Sequence, residues 1–206
     1  MHFLSGLPEV QSTEIRVYGS WQEMLRKNKS VNFEQPFVLQ IHVNPSGLVF
    51  TMMNAYPTLW SVRDPLATLI SFAQRNQNLE PMFGVWLNQF VESIKMVKYL
   101  KRQPIMVPMD LVSKYSEGAR FVILKSIVQG MGLNVERGKG HCSHWAGDWP
   151  THGSSGNYPL KSLYNAGQIH KLKSALGESY IRLKEHESTF RAFLEPLGYQ
   201  NLMWWS

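Results

Sequence analysis

Short apolar runs closed by glycine, proline or asparagine, each followed by a helix-period pattern, recur through the first two-thirds of the chain. This alternation constrains the fold more than any other feature. Strands that follow one another in this way return to the sheet through a helical crossover, which makes them parallel and covers both sheet faces. The run His2-Phe3-Leu4 reads as the first strand, with a turn at Ser5-Gly6-Leu7-Pro8 and a helix from Ser12 to Asn28 opened by the Ser12-Thr13 pair. Gly19 weakens the middle of that helix by up to about 1 kcal/mol.

Pro36–Val43 is mostly apolar, as a buried parallel strand should be, and Asn44-Pro45-Ser46 opens a helix over Gly47–Ala55. A third strand covers Pro57–Arg63, and the helix Leu66–Arg75 after it gathers Leu66, Leu69, Ile70 and Ala73 on one face. A longer helix is expected over about Met82–Arg102, a fourth strand over Pro104–Met109, and a helix over Gly118–Gln129 stopped by Gly130-Met131-Gly132. Asn134–Pro159, rich in glycine, histidine and tryptophan, shows little periodicity and reads as an irregular loop. Helices Leu160–Ala175 and Glu178–Leu194 follow. The pattern predicts an α/β protein with a central parallel sheet between two helical layers, a single domain over 1–206.

At 206 residues, 44% of them apolar, the chain is long enough to bury one good core. It contains no apolar run of about 18 residues, so no membrane span is expected, and its start does not read as a signal peptide. The single cysteine, Cys142, fits a reducing compartment, so the expected location is the cytoplasm. Net charge is +6, from 21 Lys and Arg against 15 Asp and Glu. The basic residues are dispersed, with short clusters at Arg26–Lys29, Lys98–Arg102 and Lys171–Lys173, and no aromatic RNA-binding signature accompanies them. An anionic small ligand therefore fits better than nucleic acid or a membrane surface.

Several residues carry possible chemistry. An apolar strand, a Gly/Pro turn and hydroxyls at a helix start form an anion cradle, here Gly6, Pro8, Ser12 and Thr13. Ser12 and Thr13 can equally serve as helix caps. Arg63 at a strand end and Ser71 two turns into the next helix can reach one phosphate, the arginine bidentately. The plainer alternative pairs Arg63 with Asp64, which also caps the helix. His42, at the end of the second strand, is either a proton acceptor near pH 7 or a structural histidine. Cys142, His141, His144 and His152 match no standard zinc spacing, so no metal is expected. Trp204-Trp205 reads as packing.

These residues resemble the motifs of sulfotransferases. Ser5-Gly6-Leu7-Pro8-x-x-x-Ser12-Thr13 is similar to their phosphosulfate loop, and Phe37–His42 to their second strand. Val62-Arg63-Asp64-Pro65 with Ser71 looks like their 3′-phosphate motif, and Val107-Pro108-Met109-Asp110-Leu111-Val112 like a later strand ending in Glu-Asp-Leu. Phe193–Tyr199 is of a kind seen in some bacterial members, and Gly147-Asp148-Trp149 resembles part of the basic segment that closes over the 3′-phosphate. The resemblance implies a P-loop NTPase-like three-layer sandwich and 3′-phosphoadenosine 5′-phosphosulfate (PAPS) as cosubstrate. It implies sulfuryl transfer to a hydroxyl or amine of a small-molecule or glycan acceptor. His42 would be the base; Gly6, Pro8, Ser12, Thr13, Arg63 and Ser71 would hold the nucleotide, with Arg137 and Lys139 as substitutes in the closing segment. Glu9 and Gln11 stand where the family places a basic residue and a glycine. The alternative is therefore a catalytically impaired nucleotide-binding or protein-interaction member of the same fold.

Overall fold

The computed structural model describes residues 2–10, 14–16, 35–36, 38–40, 47–74, 79–149 and 159–205. These are predominantly helical, with two small two-stranded sheets, so the protein is α/β in a loose sense. The elements in order are α1 (His2–Ser5), β1 (Glu14–Arg16), β2 (Val38–Gln40), α2 (Gly47–Ala55), β3 (Leu59–Val62), α3 (Pro65–Ala73) and α4 (Leu79–Val97). Then come β4 (Ile105–Pro108), α5 (Met109–Val112), α6 (Glu117–Gly130), α7 (Val135–Gly147), α8 (Pro159–Asn165), α9 (Ile169–Glu185) and α10 (Glu187–Leu194). β1 and β2 pair in parallel, with Glu14 opposite Val38 and Arg16 opposite Gln40; β3 pairs with β4. The chain forms two compact units. One comprises Met1–Trp60, Met96–Ile105 and Ser113–Thr151; the other comprises Ser61–Lys95, Met106–Val112 and His152–Ser206.

In the first unit α6 and α7 pack together over Leu124, Ile127, Val128, Cys142 and Ala146. The opening segment departs from the expected strand: His2–Ser5 is a short helix followed by a turn. Its apolar residues suit this, because Phe3, Leu4 and Leu7 are all buried and Leu7 lies four residues from Phe3 and three from Leu4, a helical spacing. The N–H of Leu7 donates to the Leu4 carbonyl at 3.2 Å and that of Val10 to the Leu7 carbonyl at 3.0 Å. The strand–turn–helix cradle expected around Gly6 and Pro8 is thus replaced at its first element.

It changes further on as well, since Glu14–Arg16 is a strand inside the expected helix Ser12–Asn28. Thr13, Ile15, Val17 and Tyr18 are β-branched or aromatic, and a neighbouring parallel strand outweighs a helix already weakened by Gly19. The remainder of that helix lies outside the described residues.

The segment expected to be irregular is largely a helix, α7. Asn134 caps it, its side-chain oxygen accepting the Arg137 N–H at 3.1 Å. Its buried stripe is Gly138, Cys142 and Ala146, spaced by four, and such small residues give no strong apolar period. Gly138 is required for packing rather than for backbone freedom, because an added Cβ would meet Leu7 Cδ2 at 3.0 Å and Val128 Cγ1 at 3.8 Å. Gly138→Val is expected to destabilise the protein by about 1–3 kcal/mol through overpacking, measurable by urea unfolding. A second tie is Arg120, whose Nε donates to the Ala146 carbonyl at 2.7 Å near the C-terminal end of α7.

In the second unit α3 packs on α8 and α9, with Leu66, Leu69, Leu172 and Leu183 fully buried. An aromatic series of Phe72, Phe83, Trp86, Phe90, Phe190 and Trp204 runs through it, with ring centroids 5.1–6.2 Å apart. The expected break near Ala175–Glu178 is present as a kink at Gly177 (φ 52°, ψ −130°), where two helical segments meet within α9. A full helix break lies earlier, between α8 and α9, where Gly167 has φ +67° and adopts it without a Cβ clash. α4 stops at Val97, short of Arg102, and the Gln103 amide donates to the Val97 and Leu100 carbonyls beyond its last turn, each at 3.2 Å.

Candidate site at the Arg63 corner

β3 ends at Val62, and the next two residues turn the chain into α3. Asp64 is the N-cap, its Oδ1 accepting the Leu66 N–H at 2.9 Å, and Pro65 takes the first helical position, where no N–H is needed. The structure thus bears out the capping role of Asp64, while Arg63 pairs elsewhere. Its Nε donates to Asp110 Oδ1 at 3.3 Å, just after β4.

Asp64 is 1% exposed and is met by more donors than a cap needs. The Tyr164 hydroxyl donates to Oδ2 at 2.6 Å and Trp204 Nε1–H to Oδ1 at 2.8 Å. Burial pushes its carboxyl above the ordinary carboxylate range, the bonds from Tyr164, Leu66 and Trp204 oppose the rise, and the nearby Asp110 charge adds to it. Asp110 Oδ2 accepts the Asp64 N–H at 2.7 Å and lies 3.3 Å from the Tyr199 hydroxyl, which also reaches the Val62 carbonyl at 3.2 Å. Burial and the adjacent carboxylates raise both tyrosines, Tyr164 and Tyr199, so their hydroxyls stay protonated donors.

These bonds make a rigid seat for one half-exposed cation. Arg63 Nε is engaged, and among the described residues the Nη1–Nη2 edge of its guanidinium has no hydrogen-bond partner. That edge can hold two oxygens of an oxyanion side by side. Ser71 is half-buried on α3, seven residues after Asp64 and so two turns along the same helical face. Arg63 thus stands at the start of α3, and Ser71 lies about 10 Å further along that helix.

The other expected site residues belong to the first unit. Gly6 and Pro8 are exposed in the turn after α1. That turn lies against α7, with Leu7 on Gly138 and the Glu9 carboxylate accepting the backbone N–H of Asn134. Arg137 and Lys139 are exposed on the first turns of α7, so the structure brings the turn and these two cations to one helix end. Glu9 is accounted for here, because a carboxylate at a helix N-terminus meets free N–H groups and the positive end of the dipole. Ser12, Thr13 and His42 lie outside the described residues.

His141 is turned to the opening helix, its Nε2 2.7 Å from the Phe3 carbonyl and its ring stacked on Phe3 at 5.3 Å. Cys142 is buried, and desolvation raises its thiol pKa. Among the described residues no three His, Cys, Asp or Glu side chains are placed to hold a metal ion. No described helix is long and apolar enough to cross a membrane. Trp204 is buried, as its packing role requires.

Asp110, Tyr164, Tyr199 and Trp204 complete the corner, and the sequence offers little to find them. They lie 46 to 140 residues from the groups they bond. The available signal is chemical: an acidic residue before a helix-opening proline, and aromatics whose polar tips need partners when buried. No family model, curated protein or solved structure matches the chain.

Proposed function

We propose that the protein is a sulfotransferase with a P-loop-like three-layer fold, acting in the cytoplasm. It binds PAPS and transfers the sulfuryl group to a hydroxyl or amine of a small-molecule or glycan acceptor. The observation that carries this reading is Arg63, at the end of a strand and the mouth of a helix, with its Nε held and its forked edge unengaged among the described residues. In the reaction the acceptor oxygen or nitrogen forms a bond to sulfur as the sulfur–oxygen bond to the 5′-phosphate breaks. The acceptor proton passes to a base, for which His42 is the candidate, and 3′-phosphoadenosine 5′-phosphate leaves. Arg63 and Ser71 would bind the 3′-phosphate, fixing the nucleotide so that displacement is in line. The turn at Gly6 and Pro8, seated beside Arg137 and Lys139, supports an anionic ligand in the first unit too.

One observation favours a second reading, nucleotide binding without transfer. Where the family carries a cation for the transferring group, Glu9 bonds to the Asn134 amide, so that turn supplies a carboxylate instead. A single titration separates the readings from a protein with no nucleotide site. The desulfated product at 100 times its Kd should stabilise the fold by about 2.7 kcal/mol, read as a rise in Tm. No shift at millimolar nucleotide would remove both. Given binding, labelled PAPS with an acceptor panel tests transfer, and a His42→Ala variant that transfers at the wild-type rate would remove His42 from the mechanism.

A further inference from the structure

The structure assigns Asp110 a positioning role at the Arg63 anion site, an inference that rests on the nucleotide reading above. The two oxygens of its carboxylate face different groups. Oδ1 accepts the Arg63 Nε–H at 3.3 Å. Oδ2 accepts the Asp64 N–H at 2.7 Å and faces the Tyr199 hydroxyl at 3.3 Å. The carboxylate is therefore anchored on one side by a backbone amide and a buried tyrosine, and holds the arginine with the other.

Gripping a guanidinium at Nε fixes its plane and leaves the Nη1–Nη2 edge facing away from the clamp, the edge that matches two phosphate oxygens. An arginine without such a clamp must be ordered by the ligand itself, at a loss of up to about tenfold in affinity. The negative charge of Asp110 works against this by repelling a phosphate. Both side chains are partly solvent-exposed, at 35% and 27%, so that repulsion is screened, whereas the orientation of the fork is not. Orientation is the larger effect.

The division of labour between the oxygens gives a selective test. In Asp110→Asn the remaining oxygen can still accept from Asp64 and Tyr199, while the amide nitrogen replaces the acceptor facing Arg63. Calorimetric titration compares 3′-phosphoadenosine 5′-phosphate with adenosine 5′-phosphate, which lacks the 3′-phosphate. The expected result is a three- to tenfold weaker affinity for the first nucleotide and no change for the second. In an Arg63→Met background the same substitution should have no effect, because Asp110 acts through Arg63. Tyr199→Phe, which loosens the carboxylate from its other side, should give a smaller loss in the same direction and serves if Asp110→Asn does not fold. Unchanged or tighter binding of the 3′-phosphorylated nucleotide in both variants would overturn the positioning role and leave the nucleotide site standing. A wild-type protein that binds neither nucleotide would overturn the site and the role together.

Discussion

Asp64→Ala is expected to lower the unfolding free energy by about 3 kcal/mol or more, the largest stability loss of any single polar substitution at this corner. Three donors converge on the carboxylate: the Leu66 amide, the Tyr164 hydroxyl and the Trp204 indole N–H. Leaving a buried donor without a partner costs about 1–3 kcal/mol each, and part of that is recovered where water enters or a side chain turns. Asp64→Asn should cost far less. Leu66 and Trp204 both donate to Oδ1, which the amide can keep, and the Tyr164 hydroxyl opposite Oδ2 can accept from the new NH2 group. Chemical denaturation of the two variants checks the argument, and equal losses in both would show that the amide does not satisfy the three donors.

The same pair gives a pH signature. Burial raises the Asp64 carboxyl above its ordinary value of 3.8, so the native state holds that proton more tightly than the unfolded chain. Its stabilising contribution is fully present below that value and is lost as pH rises through the raised native pKa. The stability of the wild type relative to Asp64→Asn should therefore be greatest in acid and fall as pH increases. A difference independent of pH would show that Asp64 titrates normally.

The second large effect is on binding. Arg63→Met should weaken 3′-phosphoadenosine 5′-phosphate by about 10- to 150-fold, because hydrogen bonds to a charged group are worth about 1.5–3 kcal/mol. Affinity for adenosine 5′-phosphate should be unaffected, and so should Tm within a few degrees, since Arg63 is half-exposed and its bond to Asp110 is a partly solvated ion pair. Arg63→Lys should recover only part of the loss, because a point charge cannot reproduce the fork. Equal affinities for both nucleotides in the wild type would exclude a 3′-phosphate site at this corner.

How legible the corner was depends on the range of the interactions that build it. Asp64-Pro65 is a local signal, and the helix it announces begins where a cap and a proline place it. The helix Gly47–Ala55 is likewise readable from its own residues. The partner of Arg63 was not, because the adjacent Asp64 is drawn inward by Tyr164 and Trp204 and leaves the arginine to Asp110. At the start of the chain, Phe3, Leu4 and Leu7 fit a strand as well as a helix until α7 is present to bury them. For α7 itself the difficulty is chemical, since Gly138, Cys142 and Ala146 form an interior face without any large side chain.

The sequence by itself determined some helix starts and stops, because caps, prolines and glycines act over three or four residues: Asp64-Pro65 before α3 and Gly130-Met131-Gly132 at the end of α6. Tertiary structure alone decided which charges meet. A carboxylate settles where distant donors can satisfy it, and Asp64, Asp110 and Glu9 find theirs at tyrosine, tryptophan, arginine and backbone groups far along the chain.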